Sequence, residues 1–180
     1  MITRGLEIPP TAGLPAHWRD ALPPWNAGLG ATAATYIDVD FPLLPVASGT
    51  AGLLIALRTL ADLNERRKVV IIPAYTCPLV VLAVHQAGLQ IRLCDVVAGG
   101  FDLDTEPFEK LCDQDTLAVL PTHLAGRVTD VAGIHAIAKS CGTWVIEDAA
   151  QALGALRPVI FASSKNSRAA LTAWSKRLTA

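Results

Sequence analysis

Apolar residues in the middle of the chain repeat in two ways, with helical spacing in some segments and as short continuous runs in others. After Ser48-Gly49-Thr50, leucines and alanines recur every three or four residues as far as Leu63. This spacing predicts a helix over residues 51–63, with Ser48 as its N-cap because the serine hydroxyl can accept a free backbone N–H. The run from Lys68 to Ile72 is mostly β-branched and is ended by Pro73, which predicts a buried strand.

The same reasoning predicts further elements that keep alternating along the chain. In order, they are a helix over 79–87, a strand over 89–96, a helix from Asp104 to Cys112, a strand over 116–121, a helix from Asp130 to Lys139 and a strand over 143–146. The strands are apolar throughout, which is typical of a parallel sheet covered by helices on both faces. We therefore expect an α/β three-layer sandwich with a mainly parallel sheet.

The composition supports a folded core and gives no sign of a membrane or nucleic-acid protein. Of the 180 residues, 52% are hydrophobic and 17% are charged, a balance that does not fit an intrinsically disordered chain. The formal net charge of −1 gives no reason to expect nucleic acid or an anionic membrane as partner. No apolar run approaches the roughly 20 residues of a membrane-spanning helix. The N-terminus lacks the layout of a signal peptide, so the cytoplasm is the expected location.

Charge and the content of proline and glycine divide the chain into three predicted parts. Residues 1–45 are an N-terminal arm that begins rich in proline and glycine, residues that favour extended backbone. Residues 46–156 form the predicted core. Residues 157–180 hold five basic and no acidic residues, so this tail carries +5 while residues 1–156 carry −6.

The four cysteines, Cys77, Cys94, Cys112 and Cys141, are not spaced as metal ligands. None belongs to a Cys-x-x-Cys pair, and the histidines do not cluster with them. We therefore expect no metal site and no disulfide framework, and we expect all four thiols to be buried or half-buried.

Polar residues follow three of the predicted strands, at the edge where open parallel sheets bind ligands. These clusters are Tyr75-Thr76, Thr122-His123 and Asp148 to Gln151. Ser48-Gly49-Thr50, just before a helix, offers the free N–H groups and hydroxyls that a phosphate needs, although an ordinary N-cap uses the same residues. No P-loop or dinucleotide fingerprint accompanies it.

Asp148 has two interpretations. A carboxylate at this edge, with two small alanines and Gln151 after it, can hold a proton on a pyridine nitrogen and make the ring an electron sink. Alternatively, Asp148 caps the turn that follows. Its position alone leaves both interpretations open.

In combination, these motifs resemble the DegT/StrS family of sugar aminotransferases. The segments Ser48–Ala51, Pro73–Thr76, Cys94-Asp95, Pro121–Gly126 and Val145–Ala155 occur in the order of the family and near its spacing. The similarity covers about residues 42–156, and the combination of Ser-Gly-Thr-Ala with Glu-Asp-Ala-Ala-Gln-Ala-x-Gly-Ala makes it specific. It implies a truncated large domain of the fold type I transferases that use pyridoxal 5'-phosphate (PLP).

The resemblance implies roles for four residues. Gly49 and Thr50 would bind the phosphate of PLP, Asp148 would pair with the pyridine nitrogen, and Gln151 would lie near the phenolic oxygen.

Two further residues of the resembling segments are ambiguous. Cys77 stands where the family usually has an aromatic ring over the cofactor, so either Cys77 covers the ring less well or Tyr75 partly compensates. His123 lies in a Pro-x-His-x-x-Gly stretch and either lines the pocket or is a structural histidine.

The family also implies a lysine that bonds to PLP and later moves a proton, about thirty residues after the aspartate. Lys176 lies 28 residues after Asp148 and is the preferred candidate. Lys165 has similar neighbours but comes early. A third alignment puts Ala169 at this position and leaves the lysine absent.

The function implied by the resemblance is transfer of an amino group to a keto sugar linked to a nucleotide. Glutamate or glutamine would be the donor, and the working form would be a homodimer. The sequence has 180 residues, about half the family's length, so we expect the family's C-terminal domain to be absent from it. The alternatives are a truncated or degenerate non-catalytic member and, in a different class, a nucleotide-sugar binder without PLP.

Overall fold

The computed structural model describes residues 46–152, in which strands and helices alternate. The arm over 1–45 and the tail over 157–180 lie outside these residues, and the division into three parts stays a prediction. The described elements, in chain order, are α1 (Gly49–Leu63), β1 (Val69–Pro73), α2 (Pro78–Gln86), β2 (Gln90–Cys94), α3 (Thr105–Leu111), β3 (Thr116–Val119), α4 (Ala132–Cys141) and β4 (Trp144–Val145).

The four described strands form one parallel sheet in the order β2-β1-β3-β4. Strand β1 is central and buried at every residue, and β3 is also buried throughout. Strand β2 forms one edge of the described sheet, and Leu93 on it is 59% exposed. The predicted α/β fold with a parallel sheet is confirmed. Strands β2 and β4, at the two edges of the described sheet, are only partly buried, because an edge strand has a neighbour on one side only.

Helices cover both faces of the sheet, which makes the predicted three layers. Helices α1 and α2 pack on one face; this core comprises Leu57, Leu60, Val70, Ile72, Val80, Val84, Leu89, Leu117, Ala118 and Leu120. Helices α3 and α4 pack on the other face; this core comprises Ile71, Cys94, Leu103, Phe108, Cys112, Val119, Ile134 and Ala138. No helix within residues 46–152 has the length and apolar character to cross a membrane.

Several helices and strands begin or end at other residues than predicted. Hydrogen bonds of the backbone and of the capping residues set these bounds. Helix α4 begins at Ala132 instead of Asp130, because Asp130 Oδ1 accepts the N–H of Ala132 at 3.2 Å and stands before the helix. It ends at Gly142, whose φ of 67° is the left-handed cap conformation that glycine adopts without strain. The strand predicted over 89–96 ends at Cys94. The strand predicted over 143–146 is reduced to Trp144–Val145.

The cysteines differ in exposure, which corrects one expectation. Cys94 and Cys112 are buried and Cys141 is half-buried, as predicted, but Cys77 is exposed. Burial raises the pKa of Cys94 and of Cys112 to about 11, so both thiols stay protonated at neutral pH. Cys77 is exposed because it stands at the N-cap position of α2, outside both layers of the core.

The N-cap of α1 provides a first test of the fold. Ser48 Oγ accepts the N–H of Ala51 at 3.1 Å, so Ser48→Ala is expected to lower the free energy of unfolding by about 1 kcal/mol. The measurement is urea unfolding followed by circular dichroism. Thr59→Ala is the matched control, because Thr59 lies within α1 and its hydroxyl only bonds back to the Ile55 carbonyl. Equal losses in the two variants would contradict a capping role for Ser48.

Candidate functional site

The polar clusters predicted from the strand ends meet at the carboxyl edge of the sheet. All strands of a parallel sheet end at one edge, and a helix that leads into a strand begins at that edge. The N-terminus of α1 therefore lies on the same side as the ends of β1, β3 and β4. The hydroxyls of Thr76 and Thr122 are 3.5 Å apart, and Thr122 pairs with Asp148 in a parallel bridge. The structure thus brings these three segments together.

The start of α1 is open and rich in donors. The bond from Gly52 N to Ser48 O, at 3.0 Å, is the first of the helix, so the N–H groups of Gly49 and Thr50 precede it. A Cβ added at Gly49 would meet no atom within 4 Å, so the described residues leave open space on that side of Gly49. Helix N-termini of this kind attract anions through their N–H groups and the positive end of the helix dipole.

Asp148 is held in place by its backbone and by one side-chain bond. Its N–H donates to Pro121 O at 3.0 Å, and its C=O accepts the N–H of His123 at 2.9 Å. Its Oδ1 accepts the N–H of Ala150 at 3.1 Å. The turn-capping interpretation of Asp148 is therefore correct as a description of the fold. The cap uses only Oδ1 of the half-buried carboxylate. Capping by Oδ1 therefore does not exclude a contact between Oδ2 and a ligand.

Gln151 lies in the same group of loops, with a defined orientation of its amide. Its Oε1 accepts the N–H of Ala125 at 3.0 Å, and its C=O accepts the N–H of Gly126 at the same distance. Because a backbone N–H can only donate, this contact identifies which end of the amide is the oxygen. The Nε2 group is therefore the end that can donate to an acceptor atom of a ligand.

Tyr75 and Cys77 are exposed beside this edge. The ring of Tyr75 is 59% exposed and packs against Phe101, with ring centroids 5.2 Å apart. Cys77 precedes Pro78 at the start of α2, and its side chain makes no capping hydrogen bond. Tyr75 was the residue expected to compensate partly for the missing aromatic ring at Cys77. Its ring contacts Phe101 in the loop after β2.

His123 is a structural histidine. It is 3% exposed, and its ring contacts Glu147 on one side and the backbone of Thr129 on the other. The alternative that it lines the pocket is wrong, because both ring nitrogens are used inside the protein. Glu147 also contacts His135 of α4, a residue that sequence reasoning missed. No motif marks His135, which lies within an amphipathic helix.

The hydrogen bond from His123 is the main cause that holds the pKa of Glu147 below its usual value, and His135 acts in the same direction. Burial of the carboxyl opposes this shift but is outweighed by the two histidines. Glu147 is therefore a carboxylate at neutral pH.

The lysines of the described residues lie away from this edge. Lys68 precedes β1, while Lys110 and Lys139 lie in the last turns of α3 and α4. All three positions belong to the amino edge of the sheet, because α3 and α4 follow a strand and run back. The predicted lysines Lys176 and Lys165, and the alternative position Ala169, lie outside the described residues.

Comparison with known proteins gives one family. A model of the DegT/DnrJ/EryC1/StrS aminotransferase family matches residues 18–157. The segment 18–157 includes all the described residues and therefore the whole carboxyl edge.

Similar proteins are much longer than this chain. A pleiotropic regulatory protein of Geobacillus stearothermophilus is 38% identical over 86 residues, which is 48% of this chain and 23% of that protein. A UDP-N-acetyl-3-dehydro-alpha-D-glucosamine 3-aminotransferase of Acidithiobacillus ferrooxidans is 37% identical over 109 residues, which is 61% of this chain and 29% of that enzyme. The crystal structure of DesV from S. venezuelae has a TM-score of 0.62 and 32% identity, and the match covers 69% of this chain and 33% of DesV. The chain thus spans about a quarter to a third of these proteins.

Proposed function

The chain belongs to the DegT/DnrJ/EryC1/StrS aminotransferase family, and from this premise we propose that residues 46–152 form the cofactor-binding part of a PLP-dependent aminotransferase. The observation that carries the proposal is that Asp148, Gln151 and the open N-terminus of α1 share the carboxyl edge of one sheet. The proposed substrate is a keto sugar linked to a nucleotide, which the name of the similar Acidithiobacillus enzyme supports.

The donor and acceptor groups at this edge fit the polar groups of PLP. The N–H groups of Gly49 and Thr50 suit its phosphate. The carboxylate of Asp148 suits a protonated ring nitrogen, and the Nε2 group of Gln151 suits the phenolic oxygen, because the Oε1 of Gln151 is already occupied. Cys77 is proposed to lie beside the cofactor, where its small side chain covers less of a ring than an aromatic residue does.

Asp148 has the central chemical role in this proposal. When bound, PLP supplies an electron sink for negative charge that develops next to an amine. The carboxylate of Asp148 would hold the proton on the ring nitrogen and so keep the ring cationic. Its backbone bonds to Pro121 and His123 and its side-chain bond to Ala150 orient the carboxylate before any ligand arrives.

A lysine for this site has to come from outside residues 46–152. Lys68, Lys110 and Lys139 lie at the opposite edge of the sheet. We propose Lys176 as the residue that bonds to PLP and later moves a proton, with Lys165 as the alternative.

The remaining features of the working enzyme are proposed from the family. Glutamate or glutamine would supply the amino group, a homodimer would complete each active site, and the cytoplasm would be the location. In this proposal residues 1–45 and 157–180 flank the cofactor-binding core as an arm and a basic tail.

Borohydride trapping tests the proposed function. The purified chain is mixed with PLP, its visible absorption is recorded, and sodium borohydride then fixes any lysine–PLP bond as a stable secondary amine. Peptide mass mapping is expected to find the label on Lys176 or Lys165. Lys68, Lys110 and Lys139 serve as internal controls for surface labelling.

The mapping separates the proposed enzyme from its alternatives. Labelling spread over all five lysines, or no visible band, would contradict the proposal for this chain. Saturable binding of PLP without a labelled lysine would favour a non-catalytic member of the family. Binding of a nucleotide sugar without binding of PLP would favour a sugar-nucleotide binder.

A further inference from the structure

A largely buried bridge of three titratable side chains includes Glu147, the residue that precedes Asp148. His123 Nε2 is 3.0 Å from Glu147 Oε2, and His135 Nε2 is 3.1 Å from Glu147 Oε1. The side chains of His123, Glu147 and His135 are 4%, 16% and 22% exposed. Each carboxylate oxygen of Glu147 thus accepts one ring N–H, and the three side chains are largely buried.

The tautomer of His123 follows from its other contact. The backbone N–H of Thr129 donates to His123 Nδ1 at 3.1 Å, so Nδ1 is an acceptor and bears no proton. The ring proton is therefore on Nε2, where it is donated to Glu147 Oε2. This bridge needs two acceptor oxygens on residue 147. A glutamine there has one acceptor oxygen and no negative charge, so its NH2 group would face one of the two rings.

The bridge joins three parts of the chain at the end of β4. Glu147 and Asp148 are consecutive residues of extended chain, so their side chains point to opposite faces. His123 holds this segment twice, through its ring to Glu147 and through its backbone N–H to Asp148 O at 2.9 Å. His135 adds a third attachment from α4. Movement at Glu147 therefore displaces Asp148.

We propose that the His123–Glu147–His135 bridge is a positioning element that orients the Asp148 carboxylate toward a ring nitrogen. This inference rests on the proposed function of the carboxyl edge. In this proposal the three bridge residues do not contact the ligand. They act through the backbone of Asp148. Their effect is expected to be confined to ligand groups that contact Asp148 and to leave the phosphate contacts at α1 unchanged.

The test compares binding of PLP with binding of its deaza analogue, in which carbon replaces the ring nitrogen. Dissociation constants for both are measured by absorption titration on the full 180-residue chain. The unaltered chain is expected to prefer PLP. Glu147→Gln is expected to reduce this preference about tenfold by weakening one charge-assisted hydrogen bond, while affinity for the deaza analogue stays the same.

Two further variants make the result decisive. His135→Ala removes one donor from a partly exposed position and is expected to reduce the preference even if Glu147→Gln does not fold. Ile134→Val destabilises the same helix through its buried core and is expected to leave the preference unchanged.

Each outcome has one meaning. If the unaltered chain binds neither ligand or does not distinguish them, the proposed function fails. If it prefers PLP and both Glu147→Gln and His135→Ala keep that full preference, the positioning role is wrong. An equal loss of affinity for both ligands in these variants would also overturn it, because that pattern belongs to a general loss of structure.

Discussion

Asp148→Asn is expected to slow amino transfer by the PLP-loaded chain at least about 100-fold while leaving the fold intact. An asparagine side chain can still accept the N–H of Ala150, which Asp148 Oδ1 accepts at 3.1 Å, so the turn after β4 is preserved. It bears no negative charge, however, and cannot hold a proton on a ring nitrogen. Loss of one fixed electrostatic partner of a reacting group reduces turnover by about 10²–10³.

The matched control for this variant is Asp130→Asn. Asp130 Oδ1 accepts a backbone N–H two residues ahead, from Ala132 at 3.2 Å, in the same way as Asp148. It precedes α4 and has no place in the proposed site. Single-turnover rates from glutamate to a keto-sugar nucleotide, with melting temperatures beside them, give the comparison. Similar rates for the two variants would show that the charge of Asp148 does not contribute.

Phe108→Ala is expected to destabilise the chain by about 3–5 kcal/mol. Phe108 lies in α3, is fully buried, and packs with Ile71, Val119 and Ile134 between the sheet and α4. Its removal leaves a cavity in the layer that the short helix α3 shares with α4. A loss of this size is a large part of the stability of a small domain, so the urea midpoint should fall steeply.

Phe101→Ala is the control because it makes the same chemical change at an exposed position. Phe101 is 44% exposed and contacts the ring of Tyr75. Its replacement is expected to cost less than about 1 kcal/mol. The measurement is urea unfolding of both variants followed by tryptophan fluorescence. Equal costs would mean that the core between the sheet, α3 and α4 contributes little to stability.

Much of the fold could be predicted from local signals. Helix α1 combines a serine cap with regular leucines, and the structure has both features at Ser48 and over Gly49–Leu63. Strand β1 is apolar at every position because it is central, and a continuous run is the pattern that burial on both faces produces. The end of α4 at Gly142 follows from the freedom of glycine to adopt positive φ.

Other features could not be predicted from local sequence patterns, because they depend on contacts between residues that are far apart in the chain. The exposure of β2 depends on its place at the edge of the described sheet, which the order of strands sets. The burial of His123 depends on Glu147 and Thr129. His135 lies in a helix whose pattern predicts only which face is apolar, and its contact with Glu147 comes from packing of that helix against β4. The Asp148 segment was predicted from its motif, whereas its orientation comes from the loop after β3.

The order of the strands has a consequence for how the chain folds. Strand β1 pairs with β3, joining Val69 to Thr116 across an intervening helix, strand and helix. Pairing over such a distance closes a long loop, and the chain loses conformational entropy before the stabilising contacts form. Folding dominated by such non-local contacts is slow. The groups at the carboxyl edge belong to α1 and to the ends of β1, β3 and β4, so they cannot meet until this pairing is complete. A ligand that contacts this edge therefore recognises a chain in which β1, β3 and β4 are already paired.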